Sequence, residues 1–113
     1  MIERRRHPRY RVKQPVTAAV KLQDTDKLIL FSVLNISLEG MLIAGELEAV
    51  DLKDGTIVTI ELFSSKPREQ IVVCRSRIID FRGDGKFGVH IEEINKSDQE
   101  RMMNMCADFE QVA

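Results

Sequence analysis

Residues 70–91 read QIVVCRSRIIDFRGDGKFGVHI. From Gln70 to Phe81 the chain is rich in Ile and Val and runs into the turn Arg82-Gly83-Asp84-Gly85, after which Phe87, Val89 and Ile91 alternate with Gly88 and His90. Apolar residues at every second position mark a strand with one buried face, and two such runs about a glycine-rich turn predict a β-hairpin. Gly83, Gly85 and Gly88 also satisfy G-x-G-x-x-G, but a dinucleotide site needs a helix after that motif and here a strand follows. The motif is read as the hairpin turn.

Working outward from this hairpin, Val16, Ala18, Val20 and Leu22 alternate with Thr17, Ala19 and Lys21, which predicts a strand. Leu28–Leu34 and Met41–Ala44 are short apolar runs joined through Asn35–Gly40, and Val58, Ile60 and Leu62 share one face of a run from Ile57 to Phe63. On the other side, Ser97-Asp98-Gln99-Glu100 has the capping-box form, with Ser97 opening a helix. Met102, Met105, Cys106 and Phe109 then form its apolar stripe, able to lie on a sheet or cover a barrel opening. Six short strands and one helix predict a mainly β fold, a six-stranded antiparallel (split) β-barrel with a C-terminal α-helix, since closure removes unprotected edges. The expected organisation is a flexible basic N-terminal arm over 1–14 and a barrel over 15–113 with its helix at 96–111.

A length of 113 residues fits one core, and no apolar run reaches the ~18 residues that cross a bilayer, so membrane insertion is not expected. Nothing at the N-terminus resembles a signal peptide, which makes the cytoplasm the expected compartment. Cys74 and Cys106 form no C-x-x-C pair and are read as buried thiols, while His7 and His90 lack a second ligand nearby, so neither metal nor cofactor is expected. No G-x-S-x-G, paired carboxylates or Cys/His constellation suggests catalysis, and the chain is not read as an enzyme.

The net charge of −1 conceals an asymmetry. Arg4, Arg5, Arg6, Arg9, Arg11 and Lys13 stand against Glu3 alone, a local +5, which leaves −6 for everything else. An anion would be drawn to the arm. Pro8 disfavours helix there, so the guanidiniums are free to wrap a ligand, and their planar forks pair with phosphate oxygens or a guanine edge. The second polar segment, Asn35-Ile36-Ser37-Leu38-Glu39-Gly40, lies between two strands. Asn and Ser bond to nearby amides and shape turns, and Gly40 is expected to permit a positive φ.

Together, Arg5-Arg6-His7-Pro8-Arg9 followed by Asn35-Ile36-Ser37-Leu38-Glu39-Gly40 resembles the R-x-x-x-R and [D/N]-x-S-x-x-G pair of the PilZ family of cyclic di-GMP receptors. Phe87-Gly88-Val89-His90-Ile91 resembles the closing strand of that family's barrel. The resemblance implies that Arg5 and Arg9 grip guanine and phosphate, that Asn35 and Ser37 meet a guanine base, and that Gly40 keeps room for it. Arg4, just before the arginine pair, is implied in binding a stacked ligand dimer. The implied function is a cyclic di-GMP receptor that orders its arm and presents a surface to a protein partner, as a monomer or weak homodimer. The competing readings are a PilZ-fold interaction module that binds no nucleotide, and a small RNA- or DNA-binding barrel. The acidic body and single Tyr, with no Trp, give that last reading little stacking surface, so no specific nucleic-acid partner is expected.

Overall fold

The computed structural model describes residues 9–12, 15–22, 27–45, 54–64, 70–81, 85–106 and 110–112. In chain order these form strands β1 (Arg9–Arg11), β2 (Val16–Leu22), β3 (Leu28–Ile36), β4 (Gly40–Ala44), β5 (Ile57–Ser64), β6 (Gln70–Phe81) and β7 (Lys86–Glu93), helix α1 (Lys96–Cys106) and strand β8 (Glu110–Val112).

Neighbouring strands run β2-β5-β6-β7-β4-β3, and β3 pairs back onto β2, so six antiparallel strands close a barrel. The expected fold class is the observed one. Closure follows from the alternation: Val16, Ala18 and Val20 of β2, Val58, Ile60 and Leu62 of β5, and Val72, Cys74 and Ile78 of β6 all turn inward and are buried. At the centre the rings of Phe31 and Phe87 meet edge to face, their centroids 5.1 Å apart. Helix α1 packs against β6 and buries Met102, Met105 and Cys106. The stripe read from the sequence is thus core at these three positions, while Phe109 lies outside the described residues.

Four details depart from the sequence reading. First, residues from Arg9 onward belong to the sheet: β1 pairs with β3 on one side and with β8 on the other. Residues 9–11, expected within the arm over 1–14, thus pair into the sheet, because the C-terminal half of β3 runs past β2 and offers its open edge to β1. Second, the helix expected over 96–111 ends at Cys106 in the described residues, and 110–112 pair with the free edge of β1. Third, the helix is capped by Asn95 and not by Ser97: the Asp98 amide donates to Asn95 Oδ1 at 2.8 Å, and the Gln99 amide donates to the Asn95 carbonyl at 2.9 Å. Asn is as good a cap as Ser, and it stands where the strand's last residues release the chain. Fourth, β3 does not end at Leu34 but continues to Ile36 through a β-bulge.

That bulge sets up everything on the outer surface. Phe31 and Val33 point into the barrel, and strict alternation would send Asn35 inward after them. Instead Val33 pairs with Ile43 and Asn35 with Leu42, leaving Leu34 without a partner on β4. The phase shifts by one residue, so Ile36 is fully buried and Asn35 turns outward, half-buried. The Leu34 carbonyl is still used, accepting the Val12 amide at 3.1 Å.

Candidate functional site

After Ile36 the chain reverses within Ser37–Gly40. The Ser37 amide donates to the Gly40 carbonyl at 2.8 Å. The Ser37 hydroxyl accepts the amides of Glu39 and Gly40, each at 3.2 Å, and donates to the Gly40 carbonyl at 3.2 Å. Ser37 is only 4% exposed, so its hydroxyl is spent inside the turn. Ser37 thus holds the shape of the loop that carries its neighbours, and it also lines the cleft where the resemblance places a base. The Glu39 carbonyl accepts the Ile91 amide at 2.8 Å and ties the turn to β7.

Gly40 is also required for a reason other than the one expected. Among the described residues the glycines with positive φ are Gly55 and Gly85, so the Gly40 backbone is one that any residue adopts. A Cβ at Gly40, however, would sit closer to the Val89 carbonyl oxygen than real Cβ atoms ever do. The missing side chain makes room for the backbone of β7 and lets β4 lie flat against it.

On the outer face above this turn, Arg9, Asn35, Ser37 and Gly40 line one cleft of about 290 Å³. Arg9 and Arg11 are two residues apart on β1 and both exposed, and Arg11 stands directly opposite Asn35 in the β1–β3 register. Tyr10 between them turns the other way and packs on the core, which fixes the strand's facing. No side-chain hydrogen bond or ion pair engages Arg9 or Asn35 among the described residues. The cleft therefore brings together a guanidinium and an amide that no described side chain engages, a donor set suited to an anion attached to a hydrogen-bonding ring. Arg4 and Arg5 lie outside the described residues.

The cleft has a far side that the sequence reading missed. Ile79 of β6 and His90 of β7 line it, and the floor between is bare at Gly40 and Gly88. Ile79 is a second bulge residue, unpaired between the Ile78–Val89 and Asp80–Gly88 partners, and 52% exposed. The only signal in the sequence was an isoleucine at a position where β6 should face water. Beyond the cleft, the outward Arg77 pairs with Glu92 at 2.5 Å, which holds the Glu92 carboxyl below its ordinary range. The two thiols are interior, as read: burial pushes Cys74 up and Cys106 up to about 12.

With this geometry in place, the family can be assigned. The model of the PilZ domain matches residues 3–108. The chain belongs to the PilZ domain family. Solved structures with the same fold include the inhibitor of motility MotI/DgrA of Bacillus subtilis, at TM-score 0.72 and 14% identity over 93% of this chain and 50% of that one. The PilZ domain of YcgR from Escherichia coli, solved with c-di-GMP, matches at TM-score 0.70 and 14% identity over 92% of this chain and 89% of that domain. The PilZ domain of CeSA from a cellulose-synthesizing bacterium matches at TM-score 0.63 and 16% identity, covering 87% of this chain and 93% of that one. This PilZ chain thus spans half the length of MotI. No curated protein is similar enough in sequence to match. No helix among the described residues of the PilZ chain is long and apolar enough to cross a membrane.

Proposed function

We propose that this PilZ domain is a cytoplasmic cyclic di-GMP receptor that performs no chemistry and relays the signal by changing the surface it offers to a protein partner. What supports the reading is one observation: Arg9 from the basic segment and the Asn35–Gly40 turn, distant in sequence, converge on one cleft.

The cleft, about 290 Å³ and open to solvent, can seat part of the dinucleotide. The rest of the ligand must then be covered from above, and the residues before Arg9 are within reach. Four residues of extended chain span up to ~14 Å, so a guanidinium at Arg5 can lie across a ligand whose base rests against Asn35. Arg9 takes a phosphate or guanine edge, Asn35 a base edge, and Arg4 a second stacked ligand. Ser37 meets the base beside Asn35, Gly40 keeps room for it, and both shape the turn seated on β7.

The energies suffice. Charge-assisted hydrogen bonds contribute ~1.5–3 kcal/mol each and a stacked base ~1–3 kcal/mol, against the ~8 kcal/mol of micromolar affinity, even after ordering the arm takes back ~2–5 kcal/mol. Residues before Arg9 drawn over the ligand would form a surface that the free protein lacks, continuous with β1 and its partner β8.

Isothermal titration with cyclic di-GMP, with cyclic di-AMP as control, tests the reading. Micromolar binding of the first is expected, with Arg9→Ala weakening it ten- to a hundredfold without changing the melting temperature, since Arg9 is exposed. Absence of heat with the wild type sinks the proposal and leaves a PilZ-fold interaction module.

A further inference from the structure

The cleft has two walls of different character. On one side stand Arg9 and Asn35; on the other stands Ile79, half exposed at a bulge, with His90 beside it and the glycines of β4 and β7 between. The outward-facing residues of β6 include Val73, Arg75, Arg77 and Ile79, so an aliphatic side chain stands at the cleft rim just past two arginines. An aliphatic side chain left half in water at the edge of a polar cleft gains free energy only when something apolar covers it.

We propose that Ile79 is the apolar wall on which one guanine face of the bound nucleotide packs, while His90 donates a hydrogen bond to an acceptor on the same nucleotide. This inference rests on the cyclic di-GMP reading and assigns to this chain a second set of ligand contacts. The bulge matters because it leaves Ile79 without a partner on β7, at the point where β6 borders the floor. Gly88 stands opposite Asp80 and Leu42, and Gly40 opposite His90, so nothing larger than a glycine lies at two diagonal positions of the floor. A planar purine can lie there with one face toward Ile79 and its edge toward Asn35. Specificity then divides between the walls: Asn35 and His90 read hydrogen-bonding atoms, and Ile79 supplies contact area indifferent to which purine is present.

Calorimetry on the full chain with cyclic di-GMP separates the outcomes. Ile79→Ala is expected to weaken binding about tenfold with a less negative binding heat capacity, because less apolar surface is buried. Its melting temperature should stay that of the wild type, and Ile79→Met should recover most of the affinity. His90→Ala is expected to weaken binding about tenfold with the heat capacity of binding unchanged, since it removes a hydrogen bond and little apolar contact. Wild-type affinity in Ile79→Ala, beside a wild type that binds, overturns the assignment of the wall and leaves the receptor reading intact. No heat from the wild type overturns both.

Discussion

The Ser37 hydroxyl accepts the Gly40 amide at 3.2 Å and donates to the Gly40 carbonyl at the same distance, so one buried side chain closes the turn on which the cleft is built. Two residues of the family signature are therefore partners of one another. Their first duty is to the loop, and Asn35 and Arg9 face the open space.

Removing the Ser37 hydroxyl should accordingly cost stability as well as ligand. Ser37→Ala leaves the Glu39 and Gly40 amides without their acceptor, and an unsatisfied buried group costs ~1–3 kcal/mol. A fall in the urea midpoint with unchanged slope is expected, and Ser37→Thr, which keeps the oxygen, should lose less. Arg9→Ala serves as the contrast, weaker in binding and unchanged in urea. A Ser37→Ala midpoint equal to the wild type's would remove the structural role.

Gly40 gives a sharper test, because two explanations of the same glycine differ in outcome. Were a positive φ the requirement, Asn would be tolerated better than Ala. The obstacle is instead the Val89 carbonyl, which any Cβ meets. Gly40→Ala and Gly40→Asn are both expected to destabilise by ~1–3 kcal/mol or more, as forced overpacking does, in thermal and urea unfolding. A variant with Asn near wild-type stability and Ala far below it would return the argument to backbone conformation.

The helix start can be decided in the same way. Asn95 Oδ1 receives the Asp98 amide, whereas Ser97 is exposed in the first turn. Asn95→Ala should cost ~1 kcal/mol and Ser97→Ala only a few tenths, read from urea unfolding followed by circular dichroism. Equal losses would mean that both residues share the cap.

These contrasts mark where the sequence could be read and where it could not. Val16, Ala18 and Val20 or Phe87, Val89 and Ile91 declare a buried face by local alternation, and so the barrel strands and the hairpin were legible. The pair of polar segments was legible as a pattern. The bulge at Leu34 was not, since it shows only against a partner strand, yet it is what turns Asn35 outward. Strand β8 was hidden for a related reason: Glu110-Gln111-Val112 has little strand character of its own and pairs because β1 leaves an edge open. Ile79 and His90 belong to strands more than thirty residues beyond the signature, and barrel closure alone brings them to the cleft.

The buried thiols yield a prediction about alkali. Cys106 is 6% exposed and its thiol is pushed up to about 12 by burial, and Cys74, beside Ser76, is pushed up for the same cause. A raised thiol pKa means that the folded chain keeps a proton which the unfolded chain releases near the ordinary thiol value of 9.0. Between pH 9.0 and about 12 the unfolded state therefore binds fewer protons, and stability falls as pH rises through that window. Below it the thiols are neutral in both states and contribute no slope. Replacing Cys106 by Ala should flatten the loss seen in urea midpoints measured across the lower part of that window, at some cost in packing at every pH. In the native protein at pH 8 the thiolate fraction is small and the sulfur shielded, so both cysteines should react with a disulfide reagent only as fast as the chain opens. Prompt reaction of one thiol per chain under native conditions would show that α1 does not stay closed over β6.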